Sequence, residues 1–208
     1  MLVMALQRNS SPADGGILDS VFCLRAKIFR GRLGWDVTES DGRESDEYDR
    51  LDPTYIVATT DEGQIAGCAR LLPALGPTMA ANTFPQLLAA GRLNAHSAMI
   101  ESSRFCVDTD LPAGREGGGL HEATLTMFAG IIEWSMASGY SEIVTVTDVR
   151  FERILKRAGW PLRRLGEPKP IGNTIALAGT LAADIASFTR VAPPAYRSEF
   201  GAPTRAAA

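Results

Sequence analysis

Ile17, Leu18, Val21, Phe22, Leu24, Ile28 and Phe29 recur at three- and four-residue intervals. That period predicts an amphipathic helix over about 16–31, interrupted near Gly31 and Gly34, with Arg25 on its polar side. After a polar, acidic stretch over 38–52, two apolar runs at 55–59 and 64–72 flank Asp61, Glu62 and Gly63, a turn signal that predicts a hairpin. The Pro- and Gly-rich segment beyond it reads as loops around one short helix ending near Gly91. Strand character returns over 98–107. A loop with Gly117, Gly118 and Gly119 then leads to a stripe of Leu120, Met127, Phe128, Ile131 and Ile132, a helix ending at Gly139. The strand EIVTVT follows at once.

Strand, glycine-rich loop, helix and strand form a βαβ-type unit, whose helix N-terminus offers unpaired N–H groups to anionic or carbonyl oxygens. Phe151, Ile154, Leu155 and Ala158 make a second short helix stopped by Gly159, and a last strand spans about 174–181. The tail from about 193, rich in Pro and Ala, is expected to fray. The elements add up to an α/β (α+β) chain, a mixed twisted sheet with helices on both faces in a single domain over 1–208.

Composition narrows the function. With 208 residues, 45% hydrophobic and 22% charged, the chain can bury a continuous core without cross-links. Cys23, Cys68 and Cys106 show no CxxC spacing, and His96 and His121 lie far from any cysteine pair, so neither a disulfide framework nor a metal site is expected. MLVMAL is too short and lacks the basic flank of a secretory leader, and no run approaches the roughly 20 apolar residues of a membrane span; the expected location is the cytoplasm. A net charge of −3 argues against nucleic acid as a partner. The charge is uneven, however. Arg150, Arg153, Lys156, Arg157, Arg163, Arg164 and Lys169 stand against Glu152 and Glu167, a local balance of +5 that reads either as a solvated helix face or as a surface steering an acidic partner.

One ordered set of side chains stands out: Arg25 and Phe29 within LRAKIF, Trp35 within LGWDV, Asp46 and Asp49 within ESDEYD, Arg70 within ARLLP, and Glu101 and Arg104 within ESSRF. In order and spacing this set resembles the LuxI-type autoinducer synthases, from about residue 20 to residue 165, and TMAANTFPQLL matches as well. The resemblance implies an N-acetyltransferase-like fold with a V-shaped cleft between splayed strands. It implies acyl-homoserine-lactone synthase activity for quorum sensing: an acyl chain, plain or 3-oxo, passes from acyl carrier protein or acyl-coenzyme A to the amine of S-adenosylmethionine, and lactonisation releases methylthioadenosine. Both compounds are substrates, and no permanent cofactor or metal is implied. Two readings on the same scaffold stay open: an N-acyltransferase acting on another amine, and a non-catalytic acyl-thioester or nucleotide sensor.

S-adenosylmethionine joins a sulfonium, a flat adenine, an amine and a carboxylate, so its site wants aromatic faces, carboxylates and arginine. Arg25, Phe29, Trp35, Asp46, Asp49, Arg70, Arg104 and Phe105 are the expected set. Phe29 and Trp35 read equally as core aromatics, and Asp46 and Asp49 as part of a solvated acidic loop with Asp41, Glu44, Glu47 and Asp52. Glu101, Ser103 and Arg104 are the catalytic candidates, Glu101 as general base and Arg104 as the clamp on the methionyl carboxylate. Three residues apart on a strand, Glu101 and Arg104 should face opposite ways unless a bulge intervenes. Thr145 is expected to donate a hydrogen bond to a 3-oxo group, with Met79, Phe84 and Met127 along the acyl chain; interior packing is the alternative for each. Arg150, Arg153, Lys156, Arg157 and Arg163 are the expected docking surface for the carrier protein.

Overall fold

The computed structural model describes residues 1–7, 12–111 and 120–200. Gly117, Gly118 and Gly119, expected to form a loop before a helix, lie outside the described residues. Strands β1 (Leu2–Gln7), β4 (Thr54–Thr59), β5 (Ile65–Pro73), β6 (Met99–Val107), β7 (Glu142–Asp148) and β10 (Thr174–Ala182) stand side by side in that order, and β8 (Arg163–Arg164) and β9 (Lys169–Ile171) both line the outer side of β10. A small hairpin, β2 (Glu39–Ser40) with β3 (Arg43–Glu44), stands apart. Helix α1 (Pro12–Arg25) continues into a wider π-helical turn, Ala26–Arg32.

Alternation along the strands sorts side chains to two faces. Tyr55, Val57, Cys68 and Cys106 pack with Leu18, Val21, Leu24, Ile28 and Phe29 on the α1 face. Ile56, Ala58, Leu71 and Ile100 pack with Met127, Phe128, Ile131, Ile132 and Leu155 on the other, beneath α2 (Glu122–Ala137) and α3 (Val149–Arg157). Each large apolar side chain so buried contributes about 1.5–3 kcal/mol. Helix α2 is apolar over most of its surface because the sheet lies below it and α4 (Ile185–Val191) covers it.

Every neighbouring pair is antiparallel except β6 with β7, the two strands joined through α2. That parallel pairing runs from Met99↔Glu142 through Glu101↔Val144 and stops, although β6 continues to Val107 and β7 to Asp148. Beyond Glu101 the two strands diverge, and the sheet opens into the cleft that the resemblance implied. A second irregularity lies on the other edge of β6. Against β5, Cys106 pairs with Cys68 but Ser103 with Arg70, so β6 holds one extra residue there, and Arg104 takes φ +52°. Such a bulge turns a strand's side chains by one position.

The sequence pattern did not anticipate β1, nor the fate of the tail. Instead of fraying from 193, the chain returns along β1: Val3 N–H donates to the Arg197 carbonyl, Glu199 N–H donates to the Val3 carbonyl, and Tyr196 Oη donates to Glu133 Oε2 at 2.6 Å. Gly166 sits hard against the 85–91 segment, where a Cβ would lie 2.3 Å from the Leu87 carbonyl oxygen. We expect Gly166→Ala to lower the urea midpoint by the equivalent of about 1–3 kcal/mol. Gly16→Ala, in helix α1 with open space around it, should raise it by up to about 1 kcal/mol. Equal midpoints for the two variants would show that backbone contact at Gly166 does not matter.

Candidate active site

On the α1 face, the last residue of α1 and the two central strands aim three guanidinium groups at one acidic segment. Arg25 is fully buried, donating through Nε to Glu44 Oε2 at 2.5 Å and through both terminal nitrogens to Asp49 at 2.8 and 2.9 Å. Arg70, also fully buried, donates to Asp49 Oδ1 at 2.9 Å, to Asp46 Oδ1, and through Nε to Ser103 Oγ at 3.2 Å. Arg104 donates to Glu44 Oε1 at 3.1 Å and pairs with Asp46 Oδ2 at 2.7 Å. Three cations thus face three anions. Truncating one member of such a buried set costs about 3–5 kcal/mol because a charge is left unpaired.

The acidic segment is shaped to serve this set. Asp46 caps a tight helical turn, Glu47–Arg50, accepting from Tyr48 N–H at 2.9 Å, while Asp49 Oδ2 reaches back to accept from Asp46 N–H at 2.8 Å. This reciprocal cap fixes both carboxylates relative to each other. Glu47 and Arg50, on the outer side of the same turn, are exposed. Glu44 is fully buried between Arg25 and Arg104. It was not singled out within the acidic run, although its place before Asp46 in ESDEYD was the signal available. Tyr55, also not singled out, donates to Asp49 Oδ1 at 2.8 Å.

Phe29 and Trp35 stack on each other, ring centres 5.2 Å apart and planes 8° from parallel, with the Arg104 guanidinium 5.7 Å from the Phe29 ring centre. Just past the π-helical turn the chain folds back on it, and Trp35 N–H donates to the Phe29 carbonyl at 2.9 Å. Phe29 is buried and Trp35 half-buried, so Trp35 is the ring with surface left for a ligand.

Glu101 reaches the same face because the bulge falls between it and Arg104. Its two oxygens accept the N–H groups of Ala80 at 2.7 Å and Met79 at 3.0 Å, from the π-helical turn Met79–Thr83. Burial pushes its carboxyl above the ordinary 4.5, only partly offset by those N–H groups and by the Arg70 charge. Asp49 goes the other way: burial opposes ionisation, but the hydrogen bond and charge of Arg25, then the charge of Arg70, hold it well below the ordinary range. The site therefore holds two kinds of carboxylate.

Phe105 lies elsewhere than expected. One residue past the bulge, it turns to the opposite face and packs on Phe128 and Phe151, ring centres 5.3 and 4.9 Å away. There, with Ser102, Thr145, Ile131, Leu155, Trp160 and Leu181, those rings line a cavity of about 20 Å³. Of the side chains expected along the acyl chain, Thr145 lines this cavity. Met79 instead lies on the α1 face, its sulfur 3.3 Å from Arg70 Nη2 and from Arg104 Nη1; Phe84 packs beside Tyr48, Leu72 and Met79; and Met127 packs under β5 beside Gly67. Arg150, Arg153, Lys156 and Arg157 are exposed on α3, whose inner side supplies Phe151 and Leu155 to the cavity. Arg163 is exposed but bonded to Glu142 at 2.8 Å. Among the described residues, no group of three or more His, Cys, Asp or Glu side chains is placed to hold a metal ion, and no helix is long and apolar enough to cross a membrane.

A mixed sheet parted at one parallel pair, with helices on both faces, shares its fold with a putative N-acetyltransferase from Lactobacillus plantarum, at a TM-score of 0.56 and 13% identity. Comparison narrows the class. The family model for the autoinducer synthases matches residues 11–191, and the chain belongs to that family. The acyl-homoserine-lactone synthase of Agrobacterium fabrum is 67% identical over 198 residues, 95% of this chain and 94% of that protein. That of Rhizobium radiobacter is 60% identical over 212 residues, covering all of both chains. The crystal structure of the acyl-homoserine-lactone synthase LasI superimposes with a TM-score of 0.78 at 32% identity, over 91% of this chain and 93% of that one.

Asp49 gives the buried network a pH signature. Its carboxyl is depressed in the folded state, so its contribution is complete above its unfolded value near 3.8 and is lost as pH falls toward the folded value. Urea midpoints should fall more steeply in the parent than in Asp49→Asn as pH drops below about 4, the two curves converging at still lower pH. Parallel curves would mean that Asp49 is not held ionised by the arginines.

Proposed function

We propose that the chain catalyses acyl-homoserine-lactone synthesis, with S-adenosylmethionine on the α1 face and the acyl chain on the α2 and α3 face, meeting where β6 and β7 part. One observation carries this reading: the parallel pairing ends at Glu101 and Val144, so the charged pocket and the Thr145 cavity flank a single opening. The reaction needs no permanent cofactor, since both compounds are consumed.

Trp35 offers an aromatic face to the sulfonium nucleotide, a contact contributing about 0.5–2 kcal/mol depending on desolvation. Asp46, at the rim of the network, favours its positive charges. Arg104, already aimed by Glu44 and Asp46, has further N–H donors for the methionyl carboxylate. Before the amine attacks, it must lose a proton. Carboxylates paired with arginine are poor bases because the cation stabilises their charged form, which rules out Asp49. Among the described residues, Glu101 accepts from the Met79 and Ala80 backbone N–H groups rather than from an arginine, and burial raises its proton affinity despite the Arg70 charge; it is the base. As the amide forms, the carbonyl carbon loses its bond to the carrier's sulfur, and the thiol leaves with a proton. Backbone N–H groups of β6 beyond Glu101, on the side where β7 has departed, stabilise the oxyanion. The methionyl carboxylate then attacks the carbon next to sulfur, closing the lactone and expelling methylthioadenosine.

The cavity suits an acyl chain carrying a polar group near the thioester, because the Thr145 hydroxyl stands among apolar walls. As it stands it has room for about one water, so the chain enters by parting Phe105 and Phe151. The exposed face of α3 suits an acidic carrier protein as acyl donor, in the cytoplasm where such carriers are charged with acyl chains.

Incubation with S-adenosylmethionine and a panel of acyl thioesters, with products weighed by mass spectrometry, should yield an acyl lactone and methylthioadenosine in equal amounts. Acylated S-adenosylmethionine as the final product, or acylation of another amine, would sink the reading. Glu101→Gln should lower kcat by roughly 10²–10⁴. In the parent, kcat should fall as pH drops through the raised Glu101 value, since the base works ionised. Raising salt from 50 to 300 mM should raise KM for the carrier donor and leave KM for an acyl-pantetheine unchanged; the same response for both would rule out electrostatic docking on α3.

A further inference from the structure

We infer that Tyr55 is a positioning residue for the nucleotide site, acting through Asp49 on a binding pocket that it does not itself enter. The inference rests on the reading of the α1 face as the S-adenosylmethionine site. Tyr55 projects from β4, is 1% exposed, and meets Phe22 edge-on at 5.9 Å, so its ring has one place to be. Its hydroxyl donates to Asp49 Oδ1 at 2.8 Å, the same oxygen that takes Arg25 Nη1 at 2.8 Å and Arg70 Nη1 at 2.9 Å.

Asp49 is the anion shared by the two fully buried arginines, and Tyr55 is its neutral partner from the rigid sheet. Arg25 grips both oxygens of the carboxylate from α1, Arg70 reaches Oδ1 from β5, and the Tyr55 hydroxyl, on a buried ring, ties that same oxygen to β4. From Asp49 the constraint passes outward: Oδ2 holds the Asp46 N–H, the capped turn sets the Asp46 side chain, and Asp46 Oδ2 meets Arg104 at 2.7 Å. A hydrogen bond buried in the middle of the sheet thus sets the outermost cation, the one assigned to the substrate carboxylate. Burial and the Asp49 charge both push the Tyr55 hydroxyl above its ordinary range, so it stays a donor at any working pH.

Tyr55→Phe removes the hydroxyl and keeps the ring, which separates positioning from packing. By calorimetry, S-adenosylmethionine should bind Tyr55→Phe about tenfold more weakly, the order of a modest coupling free energy between a positioning residue and the site it acts on. KM for the acyl thioester should stay within twofold of the parent. Leu18→Ala, elsewhere in the same apolar core, serves as the packing control, lowering the thermal midpoint while leaving nucleotide affinity unchanged. Nucleotide affinity within twofold of the parent in Tyr55→Phe overturns the inference, and so does an equal loss for both substrates, which would reduce Tyr55 to a support of the fold. Absence of S-adenosylmethionine binding to the parent protein would instead overturn the reading of the site, so the two failures are distinguishable.

Discussion

Charge removed from water has to be answered by charge, and the α1 face of this sheet is organised around that requirement. Arg25, Arg70 and Arg104 are matched by Glu44, Asp46 and Asp49, with the two most buried arginines meeting at one carboxylate. Such an arrangement adds little net stability compared with an apolar core, because desolvation consumes most of the Coulomb gain. What it supplies is geometry. Each group has one low-energy place, so a nucleotide with both cationic and anionic groups meets a site organised before it arrives.

Two departures from regular sheet geometry shape the proposed site around that charged cluster. The bulge at Arg104 brings it to the face that Glu101 occupies and sends Phe105 to the other. The pairing of β6 with β7 ends at Glu101, the residue proposed as the base. The proposed base, the proposed carboxylate clamp and two of the residues lining the Thr145 cavity, Ser102 and Phe105, therefore come from one nine-residue strand. Helix α3 follows β7 without a loop, capped by Asp148, so the surface suited to the donor and the wall of the acyl cavity belong to one short element.

Much of this was legible in the sequence. Helical and strand periods placed α1, the β4–β5 hairpin, β6, α2, β7, α3 and β10, because each has one face in a core. β1 escaped notice as a short edge strand, and the tail as a Pro-rich segment whose hydrogen bonds go to that edge. Within the site, side chains were legible and their neighbours were not. Nothing in ESSRF says where an extra residue sits, so Phe105 was expected on the wrong side of the sheet. Met79, Phe84 and Met127 carry apolar bulk that a sequence cannot assign to one core or another, and the structure puts none of them at the Thr145 cavity. Glu44 lay hidden in an acidic run whose members differ only in burial, a property set by the capped turn beside it.

The central claim is that two substrates approach one opening from opposite faces of the sheet. A crystal structure with S-adenosylmethionine and an acyl-pantetheine thioether, unable to react, tests it most directly. The account predicts the methionyl amine on the α1 face beside Glu101 and Arg104, the acyl chain on the opposite face against Phe105 and Thr145, and amine and carbonyl carbon about 3–3.5 Å apart between β6 and β7. Both ligands on one face, or the two reacting atoms separated by an intact wall of side chains, would contradict it.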